Sequence, residues 1–478
     1  MEFHVSLTGR GDLAADVYRQ LREAILDGRL RPGERLPPTR ELARRLAVSR
    51  NTVAAAYDRL TAEGFLVGRV GAGTFVCTQS LGRVRSRRAP TGGVRPRPVW
   101  SDIPLRPLAE GLPPAYDFRP GIPDARLFPL ESWRRLVNRE LRAPAPYAAN
   151  YGEPAGHPGL RAAVARHVGV ARSVRAAAAD VVVTQGAQQA IDLVGRVLVE
   201  PGDCVAVEEP GYLPARHLFR SQGARVVGVP VDGEGLDVAA LPENTRLVYV
   251  TPSHQYPLGV PMSLARRSAL LEWARRHDAV VVEDDYDSEF RFADRPLEPL
   301  QSLDRHGRVV YVGSFAKTML PVLRLGFLVA PAALLPALRT AKQLADWHGD
   351  YTTQAAMAGF IEDGLLARHI RRANREYAAR HERVGAVLRR DFADWLSIVP
   401  SAAGLHVCAR LVAGARADVD AVVRRAAEDG VAMDSLAGLY ADRPAQAGLV
   451  IGYGGIAVDR IDEGLARLAT SFRETAGR

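Results

Sequence analysis

Lysine is nearly absent from this chain: of 63 basic residues among 478, all but Lys317 and Lys342 are arginine. Cysteine is scarce too. Cys77, Cys204 and Cys408 lie far apart and form no CxxC pair, which excludes a disulfide framework and the usual cysteine metal site, and no metal is expected. No apolar run approaches the roughly 18 residues of a membrane span, and the amino-terminal MEFHVSLTGRGD lacks the apolar stretch of a signal peptide. A cytoplasmic protein with no membrane partner is therefore expected. The rest is globular: at 47% apolar and 24% charged, the chain is long enough for about three folding units. A lysine kept in so arginine-biased a chain marks a place where arginine fails. An amine that can deprotonate and form an imine is one such need.

The net charge of +9 is not spread evenly, because residues 1–98 hold 18 Arg and 9 acids, leaving 45 of each sign in the remainder. A basic module on a neutral body points to a polyanion gripped by one end of the molecule. A membrane surface fits less well, since no basic amphipathic helix stands alone there.

Leu13, Val17, Leu21 and Ile25 recur every four residues and predict an amphipathic helix ending near Gly28. After RPGERLPP, Thr39 is placed to cap a short helix carrying Leu42 and Leu46, and Ser49 to cap another carrying Val53, Tyr57 and Leu60. Two short helices so joined make a helix-turn-helix, whose second helix enters the major groove amino end first. Arg50, Asn51 and Thr52 then face bases and phosphates, with Arg40 and Arg44 near the backbone. Phe65-Leu66-Val67 and Thr74-Phe75-Val76 flank a glycine-rich turn, Gly68 to Gly73, and predict a hairpin wing whose tip includes Arg69. From LRPGERLPPTRELARRL through SRNTVAAAYDRL to the wing GRVGAGTFV, the segment resembles the DNA-binding domain of the GntR family. That resemblance implies DNA contacts at Arg40, Arg50, Asn51, Thr52 and the wing near Gly71. Residues 79–112, with Arg83, Arg85, Arg87, Arg88, Arg95 and Arg97 among prolines and glycines, read as a linker. The expected division is thus 1–78 for the DNA-binding domain, 79–112 for the linker and 113–478 for a second domain.

Beyond Tyr116 come short apolar runs: Val181–Val183, Cys204–Val207, Leu247–Val250, Val280–Val282 and Val309–Val312. Helical stretches separate them, which predicts an α/β domain with a mostly parallel sheet covered on both faces and ligand chemistry at the strands' carboxyl ends. Glu283-Asp284-Asp285-Tyr286-Asp287 follows one run, and such crowding of acids is costly unless used. A pyridoxal cofactor needs a carboxylate on its pyridine nitrogen and a hydroxyl near its phenolic oxygen; Asp284 and Tyr286 are placed to supply both. GSFAKTMLPVLRLGF follows another run. There Lys317 offers the imine-forming amine, while Ser314 and Arg324 suit a phosphate as hydroxyl donor and bidentate cation. The segment TQGAQQAIDL opens a helix at Gly186-Ala187-Gln188, where backbone N–H groups attract phosphate.

These segments together resemble fold-type I aminotransferases. EDDYDSEFRF, TPSHQYPLG, GSFAKT and RRANREYAARHE resemble the MocR subgroup of GntR regulators, over about residues 10–460. The resemblance implies bound pyridoxal 5′-phosphate, with Lys317 as the catalytic-type lysine, Asp284 the nitrogen partner and Tyr286 the phenolic-oxygen partner. It further implies that Tyr212 stacks on the ring and that Ser314, Arg324, Gly186, Ala187 and Gln188 hold the phosphate. Tyr151 would reach the neighbouring subunit's site, which implies a homodimer. Two departures stand out. Tyr256 occupies the place of the asparagine that contacts the phenolic oxygen in aminotransferases. The stretch that carries a carboxylate-gripping arginine in such enzymes reads Leu449-Val450-Ile451 here, leaving Arg216 or Arg443 as substitutes. The expected function is a transcription regulator of promoter DNA, its effector an amine, an amino acid or pyridoxal phosphate itself. A true aminotransferase with an accessory domain is the first rival, and a DNA-binding module on a dimerising scaffold the second.

Overall fold

The computed structural model describes residues 12–69, 71–77, 94–104, 114–142, 150–292, 298–441 and 446–476, and the chain divides into two compact units, Met1–Pro96 and Arg97–Arg478. In the first, α1 (Leu13–Leu26) starts where the Asp12 carboxylate accepts the N–H groups of Ala14 and Ala15. It buries Val17, Leu21 and Ala24. α2 (Thr39–Leu46) begins differently from expectation: the residue at its cap is Pro38, and Thr39 is already helical with no side-chain cap bond. The extended Pro38 leaves its carbonyl free to accept from Glu41 and Leu42 N–H groups at 2.8 and 3.0 Å, so the helix starts without a hydroxyl. Ala47 turns the chain in left-handed conformation, φ +54°. α3 (Arg50–Ala62) then starts at Ser49, whose Oγ accepts the Thr52 N–H at 3.1 Å. β1 (Leu66–Arg69) and β2 (Gly73–Val76) pair antiparallel as the wing. Leu42, Val53, Tyr57, Leu60, Phe65 and Val76 share one core beneath them.

The second unit is built on an eight-stranded sheet. Its strands are β3 (Val181–Thr184), β4 (Cys204–Glu209), β5 (Arg225–Asp232), β6 (Gly235–Leu236), β7 (Thr245–Val250), β8 (Val280–Asp285), β9 (Val309–Ser314) and β10 (Gly326–Val329). Their order is β3-β10-β9-β8-β7-β4-β5-β6. The run from β9 to β5 is parallel, while β10 is antiparallel to both neighbours and β6 to β5. Alternation explains the apolar runs: Val181 and Val183 enter one core and Val182 the core on the opposite face. A smaller sheet, with strands Leu396–Ile398, His406–Leu411, Gly448–Gly452 and Asp434–Ser435 in that spatial order, forms the carboxyl-terminal part. The long helix Leu365–Asp391 and the helix Ile461–Ala476 pack in its core. No helix among the described residues is long and apolar enough to cross a membrane.

Candidate functional site

A cavity of about 480 Å³ opens where β8 and β9 end, lined among others by Gly186, Ala187, Gln188, Tyr212, Tyr249, Asp284, Tyr286, Ser314, Lys317 and Arg324. Strand pleating sorts the acids of β8 before any ligand is considered. Asp284 turns one way, into the cavity; Glu283 and Asp285 turn the other way and find partners there. Glu283 accepts backbone N–H groups of Leu300 and Gln301, both at 2.9 Å. Asp285 pairs with buried Arg172 at 2.9 Å and accepts the Tyr311 hydroxyl at 2.6 Å. Asp284 Oδ2 accepts the Tyr249 hydroxyl at 2.6 Å, but Oδ1 is buried with no hydrogen-bond partner among the described residues. Burial pushes the Asp284 carboxyl up to about 7. An acceptor so desolvated, on a residue that lines the cavity, fits a cationic N–H donor from a ligand.

β8 and β9 are parallel neighbours, with Val312 opposite Asp284, so Lys317, three residues past the end of β9, comes to the same cavity. Its Nζ donates to the Gly121 carbonyl at 2.7 Å, and a Cβ on Gly121 would lie 2.9 Å from that nitrogen. Opposite, the helix α4 (Ala187–Leu198) begins at Gly186 with no side-chain cap, leaving its first N–H groups for an anion. The Arg324 guanidinium donates to the Gln185 carbonyl and lies against Gly186, where an added Cβ would sit 3.1 Å from it. Ser314 Oγ accepts the Ala316 N–H at 3.1 Å, so its own proton is left to donate. A helix start, a hydroxyl and a guanidinium converging in this way make a phosphate cradle.

Aromatic residues form the remaining wall, with Tyr256 edge-on to Tyr212 and to Tyr286 at centroid distances of 6.0 and 6.1 Å. The Tyr286 hydroxyl donates to the His254 carbonyl at 3.0 Å and lies 3.1 Å from its Nδ1. That nitrogen in turn is 3.1 Å from both oxygens of Asp287. His254, Asp287 and His406, all buried, bring donor atoms within 4.8 Å of one another.

In the first unit, Arg40, Arg44, Arg50, Asn51 and Arg69 are exposed and Thr52 is half-buried at the start of α3. Arg40, Arg44 and Arg50 make no ion pair among the described residues, whereas neighbouring Arg45 pairs with Glu41. Arg69 closes the wing opposite Gly73, its guanidinium 5.0 Å from the Phe75 ring centre, and Gly71 turns the tip at φ +76°.

Residues 121–440 match the family "Aminotransferase class I and II", and residues 13–76 match "Bacterial regulatory proteins, gntR family". The probable rhizopine catabolism regulatory protein MocR of Rhizobium meliloti is 40% identical over 95% of this chain and 93% of its own. The chain belongs to the MocR-type regulators of the GntR family. Its larger unit also resembles solved aminotransferases. Kynurenine aminotransferase of Pyrococcus horikoshii superposes with a TM-score of 0.69 at 30% identity, over 75% of this chain and 90% of that one. Alpha-aminoadipate aminotransferase of Thermus thermophilus gives 0.68 at 32% identity, over 75% and 92%.

In this MocR-type chain the cavity gathers every cofactor residue expected from the sequence except Tyr151. Tyr151 is 72% exposed and stacks on Trp347 at 4.3 Å. Of the two substitutes for the missing arginine, Arg216 is already held by Glu209 at 2.6 Å and does not line the cavity. Arg443 lies outside the described residues, as do Arg83, Arg85, Arg87 and Arg88 of the linker. Tyr249, Thr251, Asp287, His406 and Arg119 line the cavity without having been expected there. Tyr249 carried a signal, being the polar member of the apolar run Leu247–Val250; the histidines carried none, since folding alone joins His254 to His406.

Proposed function

We propose that the cavity holds pyridoxal 5′-phosphate on Lys317, and that the larger unit is the ligand-sensing, dimer-forming half of a regulator whose smaller unit reads promoter half-sites. The observation that carries this reading is the orphaned Oδ1 of Asp284, a residue that lines the same cavity as Lys317 and the phosphate cradle. When bound, the cofactor supplies an aldehyde that captures primary amines. Asp284 would hold a proton on the pyridine nitrogen, Tyr286 would turn its hydroxyl from the His254 carbonyl to the phenolic oxygen, and Tyr212 would cover one face of the ring. Gly186, Ala187, Gln188, Ser314 and Arg324 would bind the phosphate. Tyr256, in place of asparagine, alters the phenolic-oxygen contact, and Tyr151 would serve the partner subunit's site. Arg40, Arg44, Arg50, Asn51, Thr52, Arg69 and the Gly71 turn would meet DNA, within the division 1–78, 79–112 and 113–478.

Signalling needs only an equilibrium difference between free and liganded states, roughly 1–3 kcal/mol of coupling to the DNA-bound arrangement. Borohydride reduction of the loaded protein should label Lys317, and an amine effector or added cofactor should change a mobility shift on promoter DNA. The likeness to aminotransferases favours one rival, an enzyme with an accessory domain. Steady-state turnover above about 1 per second, with no ligand effect on DNA binding, would establish that rival instead.

A further inference from the structure

His254, Asp287 and His406 are buried together, and none of them is among the residues assigned to the cofactor. Both rings rest one nitrogen on an oxygen that must accept. His406 Nε2 lies 3.1 Å from the Pro257 carbonyl, which can only accept, so that nitrogen carries the proton and Nδ1 keeps a lone pair. His254 Nε2 lies 3.1 Å from Ser401 Oγ, and the Ser401 hydroxyl donates to the Ala403 carbonyl, which leaves Oγ to accept from Nε2–H. His254 Nδ1 then keeps a lone pair as well. Yet that nitrogen is 3.1 Å from both oxygens of Asp287 and from the Tyr286 hydroxyl, whose one proton goes to the His254 carbonyl.

Lone pairs so opposed repel unless a positive charge lies between them. Among the described residues Asp287 makes no ion pair with lysine or arginine, only its contact with His254. The charge is therefore a proton on His254 or a metal ion, and three features favour the ion. Ligand-type atoms of all three residues lie within 4.8 Å of one another, so small shifts bring them onto one centre. An imidazole whose second N–H is anchored on an oxygen acceptor is oriented as metal-binding histidines are. Gly404, at φ +81°, leaves a gap beside the pair: a Cβ there would fall 2.4 Å from His254 Nδ1 and 2.5 Å from Asp287 Oδ2.

We propose that His254, Asp287 and His406 bind a divalent transition-metal ion of the zinc class. Two imidazoles and one carboxylate suit zinc better than magnesium or calcium, which take oxygen ligands. Asp287 and His406 line the cavity, which gives an ion its entry path and a water molecule the remaining position. No metal was expected from the sequence, whose cysteines are scattered; these three ligands meet only on folding. The inference stands on their geometry and does not need the cofactor.

The test uses the full chain, stripped with a chelator, freed of it and dialysed against Zn²⁺, with metal content per chain read by atomic emission. Wild type should retain one Zn²⁺ per chain, and Mg²⁺ in excess should not displace it. Asp287→Asn and His406→Gln should each weaken zinc binding at least about tenfold, and Ser401→Ala, which removes only the acceptor behind His254, by about tenfold. Circular dichroism checks that each variant is folded. Wild type that retains no zinc overturns the inference whatever the variants do, and leaves a proton on His254 facing Asp287. Zinc held with undiminished affinity by both Asp287→Asn and His406→Gln overturns it as well, because the ion would then sit on other residues.

Discussion

Arginine does opposite work in the two units. Arg40, Arg44 and Arg50 stand in solvent without an ion pair among the described residues, so their charge is available to a partner. Arg172 and Arg380 are buried, each paired to an aspartate, Asp285 and Asp124, at 2.9 and 2.6 Å. There the charge is cancelled inside the protein and fixes geometry: Arg172 also donates to Ser253 at 2.7 Å, tying the helix Pro158–Arg172 to the end of β8. Composition treats these residues alike. Exposure and pairing separate a binding face from a scaffold.

The largest effect that could break this comparison belongs to the residue that is not arginine. Lys317→Ala should abolish the borohydride label and the bound chromophore outright, and labelling at Lys342 would refute the assignment. Lys342 is 0% exposed and held by Asp346, so it is occupied structurally. Next comes Arg172→Ala, which leaves Asp285 buried without its cation and should cost about 3–5 kcal/mol in urea denaturation. DNA affinity per folded molecule should not move.

The converse variant is the double substitution Arg40→Ala, Arg50→Ala. For every DNA phosphate no longer neutralised by an arginine, the log–log salt slope of binding should fall by about one. Stability should stay within about 0.5 kcal/mol of wild type. Salt dependence unchanged in this variant would remove the binding face from α2 and α3.

A pH effect also follows at the cavity. Burial raises the carboxyls of Asp284, Glu208 and Glu283 each to about 7, so between about pH 4 and about 7 the native state binds more protons than the unfolded chain. Their contribution to stability is full below the ordinary carboxyl range and is lost as pH rises through about 7. Cofactor-free protein should therefore melt lower at pH 8 than at pH 5, and Asp284→Asn should flatten that decline. Cofactor binding should flatten it too, because a cationic nitrogen against Oδ1 favours the carboxylate.

Much of this was legible in the sequence because local physics wrote it there. The five apolar runs became strands, as buried strands of a parallel sheet must be apolar on both faces, and the acids and Lys317 follow them at the carboxyl ends. β5 and β10 were not read. β5 is half-exposed and carries Gly228 and Pro230, and β10 is a short strand that opens on Gly326. The start of α2 was misassigned to Thr39 because a hydroxyl before a helical pattern looks like a cap, whereas Pro38 gives the helix its entry through a carbonyl. Asp287, His254 and His406 come from three distant segments, and nothing local announces that they meet.

The smallest predicted effect concerns the cap that was read correctly. Ser49 Oγ accepts the Thr52 N–H at 3.1 Å and lies 2.8 Å from the Thr52 hydroxyl, so Ser49→Ala removes one satisfied donor at the start of α3. The cost should be about 1 kcal/mol, the usual value of a serine cap. All five tryptophans lie at position 100 or later, so tryptophan fluorescence reports on the larger unit alone. Far-ultraviolet circular dichroism sees the helices of both. In the full chain, Ser49→Ala should therefore advance an early dichroism transition while leaving the fluorescence transition and the bound chromophore where they were. A matching shift in fluorescence would mean that the two units unfold as one, and the division of labour between exposed and buried arginines would then have no counterpart in stability.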